Sequence, residues 1–131
     1  MTYRWVEHVG ELELSVEAAS EEDVLAQALA AFGELLADDD EGDAAVHEVA
    51  AEGSDRAALL AAWLEELIFL AETEGFVPAA IEQLALEPLR VRARIRGHRG
   101  APPHLVKAVT YHRLAFDRVH GGWRAVAVLD V

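Results

Sequence analysis

The stretch WLEELIFLAETEGFVPAAIEQLALEP, residues 63–88, changes its hydrophobic period halfway, and that change decides the fold. Trp63, Leu64, Leu67, Ile68 and Ala71, with Leu60 one turn earlier, recur at helical spacing and form one broad apolar face. Gly75 supplies a left-handed stop. From Phe76 onward the period is two. AIEQLALEP and LRVRARIRG read as paired strands with a turn near Pro88. Arg90, Arg92, Arg94 and Arg96 fall on one face of the second strand, and Val91, Ala93 and Ile95 on the other.

Outward from this centre the same two periods recur. YRWVEHV and ELELSVEA alternate as strands on either side of Gly10, with Leu12, Leu14 and Val16 on one face. Ser20 is placed to cap a helix whose first turn is acidic, with Asp23 at the reciprocal capping position. Leu25, Leu29, Phe32 and Leu36 carry its stripe, and carboxylates beyond Leu36 predict that it stops there. AAVHEVAAEG reads as a further strand, and Ser54 as the cap of the second helix. LVKAVTYHRLAFDRV and WRAVAVLDV, joined at HGG, make a closing hairpin. The order ββαβα plus four strands predicts an α+β two-layer sandwich, with two helices packed on one face of a mixed or antiparallel sheet. Residues 1–131 read as one domain, with neither repeats nor a linker.

Charge is lopsided. Residues 1–75 carry twenty acids and two bases, residues 76–131 four acids and nine bases, and the chain's net charge is −13. Such a field opposes a direct grip on nucleic acid and favours cations, basic protein surfaces or plain solubility, the last being the simplest reading. No cysteine is present, which excludes disulfides and a thiolate nucleophile. No apolar run approaches the ~20 residues of a membrane span. The opening MTYRWVEHVGELELS reads as structure rather than a signal segment, so a cytoplasmic protein is expected.

The familiar chemical motifs are missing. There is no GxSxG, P-loop, GxGxxG or HExxH. Asp38, Asp39, Asp40, Glu41 and Asp43 resemble a calcium loop, but Asp43 stands where the EF-hand needs glycine and Val49 where it needs a bidentate Glu. A solvated loop is the simpler reading. The Arg90–Arg96 ladder needs acids, solvent or phosphates opposite it, and Glu82 or the Glu11/Glu13 face is the expected internal partner. It lacks interleaved aromatics for base stacking. His98 and His104 flank a proline loop and are expected at the surface. Glu11 and Asp130 sit at strand termini; if they converge, they form a hard-oxygen site suited to calcium or magnesium.

Several stretches, taken together, resemble the archease family. VEHVGELELSVEA is similar to its opening, where E-H-T-A-D precedes an alternating strand. SEEDVLAQALAAF resembles its first helix, WLEELIFLAETEGFVP its W-L-E-E-L-L-Y-L-x-D-T-E-G stretch, VKAVTYHRLAF its V-K-A-I-T-Y-H segment, and WRAVAVLDV its closing strand. The order is collinear over nearly the whole chain. The resemblance implies a non-catalytic protein that activates an RtcB-type RNA ligase in tRNA splicing and RNA repair, promoting guanylylation of the ligase and multiple turnover. It also implies a divalent cation, Ca2+ or Mg2+, held by Glu11, Asp130 and a Val131 backbone oxygen, with His8 and His112 beside that site.

One departure stands out. The family's H-T-A-D reads His8, Val9, Gly10, Glu11 here. The extra methylene moves the carboxylate outward by about 1.5 Å. Calcium's flexible shell tolerates this better than magnesium's octahedron. Two rival readings remain: a chaperone or solubility partner of nucleic-acid-modifying proteins, which requires an exposed apolar patch, and a small metal-dependent hydrolase using Glu11, Asp130 and His112, which requires a pocket.

Overall fold

The structure, a computed structural model, describes residues 2–37, 42–102 and 106–131. Asp38, Asp39, Asp40, Glu41 and His104 lie outside them, so neither the acidic-loop reading nor the expected exposure of His104 is addressed. The elements run β1 (Thr2–His8), β2 (Glu11–Ala18), α1 (Glu21–Leu36), β3 (Ala44–Glu52), α2 (Arg56–Glu74), β4 (Phe76–Glu87), β5 (Arg90–Arg99), β6 (Ala108–Val119) and β7 (Gly122–Asp130). This is the expected α+β sandwich in the expected order.

The strands divide between two sheets, and every described pairing is antiparallel. One sheet has the order β1-β2-β7-β6, the other β3-β5-β4. Each helix packs against strands of both sheets. Alternation makes this work. Leu14 and Val16 from β2, Ala125, Ala127 and Leu129 from β7, and Val91, Ala93 and Ile95 from β5 join the helices in one buried core, and Leu12 is buried on the same face of β2. Val24, Leu25, Ala28, Leu29, Phe32 and Leu36 face inward from α1; Leu60, Trp63, Leu64 and Leu67 face inward from α2. Burial of these side chains supplies most of the driving force, at about 1.5–3 kcal/mol for each large one.

The helix ends show how local chemistry sets boundaries. Ser20 caps α1 by accepting from the Asp23 N–H at 3.1 Å. The cap of α2 is Asp55, not Ser54: its Oδ1 accepts from Ala58 N–H at 2.8 Å. Both residues are good caps, and the one nearer the first helical residue wins because its oxygen reaches the third amide. Gly75, at φ 61°, ends α2 as expected. The guanidinium of Arg56 pairs with Glu21, tying the starts of the two helices together.

Helix α1 approaches β4 closely at Gly33. A Cβ there would lie 2.1 Å from the Pro78 carbonyl oxygen, a backbone atom that cannot swing aside. Gly33→Ala is therefore expected to cost about 1–3 kcal/mol by overpacking, despite alanine's better helix propensity. Urea denaturation followed by circular dichroism measures this, and a stabilised variant would contradict the close approach.

Candidate functional site

Sheet register brings the two ends of the chain together. The tight turn at Val9 and Gly10 (φ 73° at Gly10) places His8 opposite Glu11 on β1 and β2. On the other side of β2, Glu11 pairs with Asp130 of β7, and Asp130 in turn pairs with Ala108 of β6. His8, Glu11, Asp130 and Ala108 thus form one lateral row, and residues in lateral register share a face of the sheet. Since Leu12, Leu14 and Val16 share the buried face of β2, this row belongs to the open face. Asp130 and His8 are exposed and Glu11 is half-buried. The Val131 N–H donates to the Gly10 carbonyl at 3.1 Å, which holds residue 131 beside the same turn. The Asp130 carbonyl accepts from Lys107 N–H at 2.8 Å and so is already engaged.

The next row holds Val6, Glu13, Val128 and Thr110. Beyond Thr110 the β6–β7 register breaks. Tyr111, His112, Arg113 and Leu114 stand against the single Ala127 before pairing resumes at Ala115 and Val126. Within this bulge the Thr110 hydroxyl accepts from His112 N–H at 2.9 Å, and Arg113 adopts φ 59°. Its guanidinium reaches Glu13 at 2.8 Å and Glu11 at 3.7 Å. Because β7 lies between β6 and β2, the Arg113 side chain must cross the open face near Val128, which is fully buried.

The expected site residues therefore meet in part. Glu11 and Asp130 are immediate cross-strand neighbours, Val131 is pinned beside them, and His8 completes the row. His112 lies in the bulge without a register partner. Among the described residues no three His, Asp or Glu side chains come together as a metal-holding group. Arg113 was not foreseen: strand alternation through TYHRLAF hides it, and neither glycine nor asparagine marks the positive φ.

By donor type the corner fits a hard cation. Its side-chain donors are carboxylate oxygens, the ligands calcium and magnesium take, and a cationic group is already drawn to them. Glu11, Asp130 and a backbone oxygen of Val131 are the residues that could hold such an ion.

The arginine ladder and His98 lie elsewhere. Arg94 pairs with Glu82 at 3.3 Å and Arg90 with Glu87 at 3.4 Å on the open face of the three-stranded sheet. Glu82 is thus a partner, as expected, whereas Glu11 and Glu13 belong to the other sheet and serve Arg113. His98 is half-buried rather than at the surface, and its Nε2 is shielded from solvent without a hydrogen-bond partner. Concavities of about 530 Å³, bordered by Arg92 and Arg94, and about 300 Å³, bordered by Arg4 and Arg124, include neither Glu11 nor Asp130. Neither of these concavities is the pocket that a hydrolase using Glu11 and Asp130 would need.

The Glu11, Glu13 and Asp130 carboxylates thus lie on an open sheet face, outside those two concavities. Comparison with known proteins identifies the class. Residues 3–131 match the model of the Archease protein family (MTH1598/TM1083), and the chain belongs to that family. Protein archease of Methanopyrus kandleri is 36% identical over 141 residues and the match covers 100% of both chains. That of Methanosarcina mazei is 27% identical, covering 98% of this chain and 95% of its own. The solution structure of Methanobacterium thermoautotrophicum protein 1598 superposes with a TM-score of 0.74 at 23% identity, covering 98% of each chain. The Thermotoga maritima crystal structure described as an archease, possible chaperone, gives 0.68 at 21%, covering 96% of this chain and 94% of its own. At those identities the two structures speak for the fold. No helix among the described residues is long and apolar enough to cross a membrane.

Proposed function

We propose that this chain activates an RtcB-type RNA ligase, promoting its guanylylation and multiple turnover, and that a divalent cation held by Glu11, Asp130 and a Val131 backbone oxygen takes part. The observation that carries this reading is the Glu11–Asp130 register in a member of the archease family. Calcium is the better-matched ion, because the longer Glu11 side chain suits a flexible shell more than a rigid octahedron. The chain does no chemistry of its own here. It presents carboxylates to a partner whose RNA- and nucleotide-binding surface must be basic.

A net charge of −13 supports the same picture. It disfavours direct binding of nucleic acid by this chain and steers it towards a basic protein surface in the cytoplasm. In a ligation assay with the cognate ligase, adding this protein is expected to convert single turnover into multiple turnover. Encounter is expected to slow as salt rises, since steering over such charges is screened within about 10 Å at 0.1 M. Multiple-turnover ligation that is equal with and without the protein overturns the proposal.

A second reading, a chaperone-like partner of nucleic-acid-modifying proteins, draws on the description of the Thermotoga relative and on exposed Phe69 and Tyr111. It predicts suppression of aggregation for unrelated clients. Titrating ligase stimulation against aggregation of an unrelated protein separates the two.

A further inference from the structure

Glu11 and Glu13 of β2 and Asp130 of β7 fall on the same open face in adjacent rows, with Glu11 directly opposite Asp130. Among the described residues the one cationic side chain within 4.0 Å of any of them is Arg113, which reaches Glu13 and Glu11. It arrives there by an unusual route. A non-glycine residue at φ 59° is disfavoured, and arginine is not among the residues that ease it. The bulge around it also gives up regular pairing between Thr110 and Ala115. What this arrangement yields is a guanidinium laid across β7 onto the acids of β2.

We propose that Arg113 is an internal cation competing with a divalent ion for this corner, so that ion uptake and release of the guanidinium are two sides of one equilibrium. The inference rests on the cation reading above and adds its control element. Both partners of the contact are partly exposed, at 42% for Arg113 against 32% and 21% for Glu11 and Glu13. An exposed ion pair of this kind is worth a factor of about five at most in an equilibrium. That is strong enough to neutralise the corner when no ion is present and weak enough to yield to a divalent charge. Release also frees the bulge that carries Tyr111, 66% exposed, and His112. Ion occupancy is thereby coupled to the shape of a surface an incoming protein would touch.

Calorimetric titration of the full chain with Ca2+ alone tests this without any ligase. Arg113→Gln, which keeps a polar group on a shorter stem but loses the charge, is expected to bind Ca2+ about two- to five-fold more tightly than the parent. Arg113→Asn, which suits the left-handed backbone better, should do the same. Arg113→Lys should stay close to the parent. Adding Glu11→Gln and Asp130→Asn to Arg113→Gln should abolish the binding. Equal affinity in the parent and both neutral variants overturns the competition while leaving the cation reading intact. Absence of binding in the neutral variants overturns both. Tightening that survives the Glu11 and Asp130 changes places the ion elsewhere and also overturns the proposal.

Discussion

Trp63→Ala is expected to lower the stability of this protein by about 3–5 kcal/mol, the range for emptying a large aromatic site in a core. Trp63 is fully buried in the middle of α2, and its indole N–H donates to the Leu25 carbonyl of α1 at 3.2 Å. Removing it opens a cavity at the junction of both helices and deletes one of the polar ties between them. Typical domains hold about 5–15 kcal/mol in total, so the variant retains a fraction of its margin. The urea midpoint, followed by far-ultraviolet circular dichroism, should fall by about 2 M for a slope of about 2 kcal/mol per molar. Trp63→Phe keeps most of the apolar volume and loses the hydrogen bond, so it should cost less than half as much. A loss below about 1.5 kcal/mol for Trp63→Ala would show that the helix pair is not the centre of the core.

The elements were legible because their evidence is local. Helical spacing in Leu60, Trp63, Leu64 and Leu67, then a glycine, then alternation, specifies α2 and β4 without reference to the rest of the chain. Division into two sheets was not legible. β3 pairs with β5 across the whole of α2 and β4, and alternation reports which face is buried but not which strand lies alongside. The same limit applies to the site. Glu11 and Asp130 could be singled out by their places at strand ends, yet only the β2–β7 register makes them neighbours. Arg113 was hidden for a different reason. TYHRLAF alternates well enough to pass for regular strand, and the chain spends a disfavoured φ on arginine where glycine or asparagine would have flagged the bulge. Local rules fail there because the positive φ falls on a residue type that does not signal it.

Asp130→Asn should separate function from stability. Glu11 and Asp130 stand directly opposite each other in an antiparallel pair, where like charges repel. Glu11 is relieved in part by Arg113, whereas Asp130 has no basic side chain within 4.0 Å among the described residues. Asparagine keeps the size and removes the repulsion. The variant is therefore expected to be as stable as the parent or more so, by about 0.2–1 kcal/mol in urea unfolding at low salt, with the gain shrinking as salt screens the pair. If the corner serves the ligase through a cation, the same variant should lose most of its stimulation of multiple-turnover ligation, because the amide oxygen still ligates but no longer supplies the negative charge that holds a divalent ion in a site with so few carboxylates. Glu11→Gln should lose stimulation too but gain less stability, since it also releases Arg113. Surface carboxylates that destabilise the fold and are indispensable to the partner's turnover belong to a site. Full stimulation by Asp130→Asn would sink that assignment, and a loss of more than about 1 kcal/mol would make Asp130 a structural residue instead.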